Sequence, residues 1–285
     1  MAINKLGDAL AHGGTTFASD DDPELVKAAT PFSLKLIESL LSESPHHKGL
    51  LFAAASGFTE YSYAFVQQDA DESEDQNLEA ATALRVRARR LYLRARNYGL
   101  RGLETEYPGF EKAFREDPKR AVNVARVADV PLFYWTAISW AAAISMAKDN
   151  PDLVADLSKV EALIDRALEL NEAFGNGAIH SFLIAYEISR QGPTGDPATR
   201  ARKHFARAMQ LSSGQQASPL VSLAESVSVK EQNLSEFKAL LNRALAINPD
   251  ARPEWRLVNL VMQRRARWLL ARTDQLFLRL DTNDK

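Results

Sequence analysis

Seven arginines fall between Arg85 and Arg101, at positions 85, 87, 89, 90, 94, 96 and 101. Planar guanidinium forks suit carboxylates, so this density points to an anion or partner site, or to a network that closes on nearby acids or on another subunit. Acids are close in sequence: residues 69–79 (DADESEDQNLE) carry six of them and no Lys or Arg, and read as a solvated loop or a helix entrance. Aromatic residues gather in two places, Phe58, Tyr61, Tyr63 and Phe65, and then Phe133, Tyr134, Trp135 and Trp140. On a helix, Phe58, Tyr61 and Phe65 share a face, which reads as core or, in a stack of helices, as the wall of a binding surface. Phe58, Tyr61, Phe65, Tyr134, Trp135 and Trp140 are therefore the cleft candidates.

Histidine and cysteine carry the remaining chemistry. His46-His47 follows Pro45 in a loop, where adjacent rings do not easily share one metal, so no metal site is assigned. His204 occupies an apolar-stripe position and reads as a core histidine. His180 shares a helix with Phe182 and Tyr186; packing is its ordinary role, lining a cavity the alternative, and it joins the cleft candidates. With Glu187 or Tyr186 nearby it would serve an enzyme only if a base reached a substrate atom. Walker, GxSxG and HExxH signatures are missing, and Gly175-Asn176-Gly177 reads as a helix–helix turn rather than a dinucleotide fingerprint. Zero cysteines remove disulfides, thiolate metal sites and thiol nucleophiles. A net charge of −2 supplies no basic field for nucleic acid. The expectation is a non-catalytic protein with no cofactor and no metal that works by holding partners.

The elements that position these residues are helical. Strand-like alternation is missing, whereas Asp22-Pro23, Asp117-Pro118, Asn150-Pro151 and Asp196-Pro197 each set a capping side chain before a proline suited to the first helical position. Three stripes share one design: Val160, Leu163, Ile164, Ala167, Leu168; Ala201, His204, Phe205, Ala208, Met209; and Phe237, Leu240, Leu241, Ala244, Leu245. Each follows i, i+3, i+4, i+7, i+8, and their RALEL, RAMQL and RALAI endings match the second helix of a tetratricopeptide repeat. A weaker copy lies at Leu36, Ile37, Leu40 and Leu41, and partner helices are expected near 48–66, 177–190 and 217–232. A long helix from Leu84 to Gly102 and a last one over about 253–280 complete the pattern. The uncharged run Val130–Ala147 just reaches the length of a membrane span; its alanines, Thr136, Ser139 and Ser145 favour a buried central helix. The expected fold is all-α, a degenerate tetratricopeptide-like array of about twelve helices: an N-terminal extension over 1–16 and one domain over 17–285.

Several blocks resemble one family. FASDDDPELVKAATPFSLKLIESLL, HHKGLLFAAASGFTEYSYAFVQQDAD, RARRLYLRARNYGLRGLE, DVPLFYWTAISWAAAISMAKD and QRRARWLLARTDQLF look like the tetratricopeptide-type subunit of TRAP transporters, the TatT family, from about Phe17 to Phe277. The resemblance implies a periplasmic homotrimer, often a lipoprotein. It further implies docking to the extracytoplasmic solute-binding subunit, and a cleft or pore that passes a small hydrophobic or organic-acid ligand. It assigns the arginine-rich helix, with Arg87, Arg90, Arg94 and Arg101, to subunit contacts, and the aromatic helices to the cleft border. The lipid-bearing cysteine of the family is missing, so lipidation is expected of the natural protein, with the opening Met-Ala reading as a mature form without its anchor. A generic helical-repeat scaffold for peptides is the alternative.

Overall fold

A computed structural model describes residues 14–190, 192 and 194–278, and all regular elements among them are helical. The 1–16 extension lies outside the described residues up to position 13; Gly14–Ala18 forms a short helix. The chain makes two compact units, one built on Asp22–Glu172 and the other on Ala173–Lys285 with Ala18–Asp21.

Asx–Pro pairs start helices in both units. The Asp22 carboxylate accepts from Glu24 and Leu25 N–H, both at 3.0 Å, and opens α1, Pro23–Glu43. Asn150 accepts from Asp152 and Leu153 N–H, and Asp117 from Arg120 N–H. Each satisfies first-turn donors that the helix itself leaves free. After α1 come α2 (Lys48–Tyr61), α3 (Leu78–Glu106), α4 (Phe110–Glu116), α5 (Val130–Ser145) and α6 (Leu157–Leu170). The connection from α1 to α2 is four residues long and makes them a hairpin. His47 is its cap: its Nδ1 accepts from Leu50 N–H at 3.2 Å.

Beyond Tyr61 the chain does not leave the helix. Ser62–Gln67 forms a π-helical turn and Gln68–Ser73 continues as α-helix, so the acidic segment begins helical rather than as a loop. Its carboxylates then meet basic side chains: Arg85 donates to Glu74 and Asp71, and Lys27 pairs with Asp69 at 2.8 Å.

In this unit α2 packs on α1 and α3, and α5 packs on α2, α3 and α6. The crossing of α3 and α5 depends on two glycines. A Cβ on Gly99 would lie 2.0 Å from Thr136 Oγ1, and one on Gly102 would lie 2.8 Å from a Leu132 methyl. Val127–Ser145 is long and apolar enough to cross a membrane by length and composition. In the fold its Val130, Phe133, Ala137, Trp140 and Ile144 are buried among the other helices of the unit, as the alanine- and serine-bearing composition leads one to expect.

The second unit contains α7 (Ala178–Tyr186), α8 (Pro197–Leu211), α9 (Ser218–Leu223), α10 (Leu234–Leu245) and α11 (Arg256–Ala271). The three apolar stripes form α6, α8 and α10, where Val160, Leu163, Ile164, Ala167, Ala201, Ala208, Phe237, Leu241 and Ala244 are buried. Gly175, Asn176 and Gly177 all have positive φ (56°, 53° and 97°) and form the tight turn before α7. A second π turn, Ala224–Ser228, follows α9. The last helix is shorter than its apolar pattern suggests: Pro253–Trp255 is a 3-10 turn, α11 closes at Ala271, and residues 279–280 lie outside the described residues. Its polar side chains fasten α11 to preceding loops. Asn259 accepts from Ala217 N–H at 2.9 Å, and Gln263 donates to Ile247 O at 2.7 Å.

Candidate functional site

The aromatic face formed by Phe58, Tyr61 and Phe65 turns towards α3 and is buried there. Phe58 stacks on Tyr98 with centroids 6.0 Å apart, and Arg94 lies over the Phe58 ring at 5.3 Å while its Nε pairs with Glu38 at 2.9 Å. Arg87 lies over Tyr61 and donates to its hydroxyl, and Arg101 covers Tyr98 and donates to Pro45 O. Three of the four interface candidates, one every seven residues along α3, thus stack on aromatics of their own chain. Arg90 is exposed, and among the described residues no acid or ring engages it. Burial, together with a hydrogen bond to Glu38, holds the Tyr98 phenol up at about 12. Trp140 is buried beneath Arg96 and Lys159, with its indole N–H unpartnered.

The opposite side of α2 is different. Phe52, Ala53, Ser56 and Tyr63 are half-buried there and Glu60 is exposed. From α5, Tyr134 and Trp135 are half-buried, their rings edge-on at 5.1 Å. Protein packed around the Glu60 carboxyl strips part of its hydration and raises it from the usual 4.5 to about 7, although the side chain keeps an open face to solvent. Glu60 is near enough to add its charge to the burial that raises the Tyr134 phenol. Among the described residues nothing donates a hydrogen bond to Glu60 or pairs with it. The contrast is with Glu38, Glu104 and Glu236, whose hydrogen bonds hold them below the ordinary range despite partial burial.

The π turn continues this side of the helix. With more than four residues per turn, Glu60, Ala64 and Gln68 fall along one line. Gln68 is 1% exposed and neither its amide nitrogen nor its amide oxygen has a hydrogen-bond partner. A buried amide left wholly unsatisfied costs free energy that a bound polar group would recover. Glu60 and Gln68 lie within the block that sequence reading singled out for its aromatics, and neither residue type announces itself; the signal is a carboxyl between Thr59 and Tyr61 in a stretch, Gly49 to Leu84, with no basic residue.

His180 belongs to the other unit. It is buried, and its Nδ1 lies 2.8 Å from His204 Nδ1, so the rings share a hydrogen between α7 and α8. Glu187 is buried between Arg190 and Arg200, at 3.1 and 2.6 Å, and Tyr186 stacks on Phe182. Among the described residues no group of three His, Asp or Glu side chains could hold a metal ion.

Stacked helices in each of two units define an all-helical protein among the described residues. The chain belongs to the TAtT family, the TRAP transporter T-component, which matches residues 19–277, and it has an accessory role in a TRAP transporter. It is also 31% identical over 267 residues to an uncharacterized protein of Treponema pallidum (strain Nichols), a match covering 92% of this chain and 82% of that protein.

Proposed function

We propose that this protein is an extracytoplasmic, lipid-anchored accessory subunit that assembles as a homotrimer, docks the solute-binding subunit of a TRAP transporter and offers a small hydrophobic or organic-acid ligand a path through a cleft or pore. The observation that carries this reading is the family match over residues 19–277. The half-buried Tyr134 and Trp135 support the ligand-handling part, because aromatic rings open to solvent on one side offer apolar contact to a small molecule. Consecutive helices that pack on their sequence neighbours, with residues of each of the three apolar stripes buried, support a tetratricopeptide-like arrangement.

Co-purification with a TRAP solute-binding subunit co-expressed in the same cells tests the central claim. Tagged protein is expected to retain that subunit through washing, and recovery of none would overturn the docking role.

A further inference from the structure

After α11 a short helix, Thr273–Leu276, turns aside, and Phe277 then adopts an extended backbone, with φ −119° and ψ 135°. Extended chain turns the C=O of one residue and the N–H of the next but one to the same edge. At Leu276 and Leu278 that edge meets the Gln232 side chain. Its Nε2 donates to Leu276 O at 3.1 Å, and its Oε1 accepts from Leu278 N–H at 2.8 Å. One amide thus supplies the pairing that a neighbouring strand would give. Between the two bonds the Phe277 ring is buried, edge-on to the buried Phe237 of α10 with centroids 4.9 Å apart. Leu278, next along, is 82% exposed, as alternation in an extended segment requires.

Gln232 is set up for this contact. Its φ is +55°, a left-handed conformation that glycine adopts freely and a residue with a side chain does not. Its Nε2 also donates to Val229 O at 2.8 Å, so the amide is oriented by its own turn. A backbone held along one edge with alternate side chains in sockets is the way extended peptides are recognised. We propose that Gln232 and Phe237 form a recognition notch for an extended segment carrying a phenylalanine. The chain's own Leu276–Leu278 fills the notch as a releasable strap, and a partner's segment of the same kind takes its place. Both amide bonds go to backbone atoms, so the ring in the socket sets the selectivity. The tether keeps the strap at a high effective concentration, and the notch opens to a partner only where the strap is weakened or drawn away.

The test is fluorescence anisotropy with a labelled peptide, DQLFLRL (residues 274–280), added to the purified full chain. The unaltered protein is expected to bind it weakly, because the tethered strap competes. Leu278→Pro removes the N–H that Gln232 accepts, at a side chain outside the core. That variant is expected to bind the peptide about tenfold more tightly than the unaltered chain, and Phe277→Ala, which empties the socket, more tightly still. Peptide carrying Phe277→Ala is expected to bind none of the three. Gln232→Gly added to Leu278→Pro keeps the turn, removes the amide and should abolish the gain. The proposal is overturned if Leu278→Pro binds no more tightly than the unaltered chain, if the peptide without its phenylalanine binds equally well, or if Gln232→Gly keeps the gain. Should Phe277→Ala fail to fold by circular dichroism, Leu278→Pro decides alone. The inference does not rest on the docking role, which co-purification reads separately.

Discussion

At the scale of single residues, the energetics of the site turn on what an ionised group receives in exchange for water. Glu60 receives nothing among the described residues, and its carboxyl keeps its proton to about pH 7, against 4.5 for an unconstrained glutamate. Between those values the folded chain binds more proton at this position than the unfolded chain does. Stability from this group is thus complete below pH 4.5, falls as pH rises through the interval and reaches its floor above 7. Glu60→Gln removes the dependence. The melting temperature of the variant is expected to track that of the unaltered protein near pH 4.5, to draw ahead up to pH 7, and to hold a constant lead beyond. Other titrating groups are common to both proteins and cancel. Parallel melting curves across the range would show that Glu60 ionises freely in the fold. The sequence displays Glu60 in GFTEYSYAF, and helical period alone separates it from Phe58, Tyr61 and Phe65. Period does not say which neighbour covers each face, and it cannot register that Arg87 and Arg94 of α3 are spent on Tyr61 and Glu38, because those pairings cross between helices.

At the scale of elements, helix starts and apolar stripes were legible because their causes are local. Asp22, Asp117, Asn150 and Asp196 cap helices through bonds reaching two or three residues along the chain. The π turns at Ser62–Gln67 and Ala224–Ser228 were not legible, since a widened turn is tolerated only when packing on both sides demands the shifted register. The same holds for the approach of α3 to α5. Gly99 in a helix interior appears a mere loss of propensity until Thr136 is seen against it. Gly99→Ala would gain helix propensity in an isolated peptide. In the protein the added methyl must displace Thr136, whose hydroxyl donates to Leu132 O at 2.6 Å, and the expected cost is about 3 kcal/mol in chemical denaturation. Adding Thr136→Ala removes the nearest clashing atom and should restore part of that loss. Gly99→Ala as stable as the unaltered protein would mean that α3 and α5 can move apart freely.

At the scale of the whole molecule, the arginine-rich helix joins the internal fold to the proposed assembly. Arg87, Arg94 and Arg101 each cover an aromatic ring of their own chain, so reversing their charge would unsettle packing before it reported on a partner. Arg90 lies exposed on the same helix with no acid or ring of the described residues engaging it, and is the member of the set that a neighbouring subunit would meet. Three chains of 31.6 kDa give about 95 kDa, the mass expected by light scattering on a sizing column for a closed cyclic trimer. Arg90→Glu places like against like wherever an acid of the next copy faces this helix, and should reduce the mass towards that of one chain while leaving the helical circular dichroism unchanged. If the unaltered protein runs as a single chain well above micromolar concentration, the trimer is excluded. If it runs near 95 kDa and Arg90→Glu does too, the copies meet through another surface, and the arginines of α3 serve the aromatic packing of their own chain.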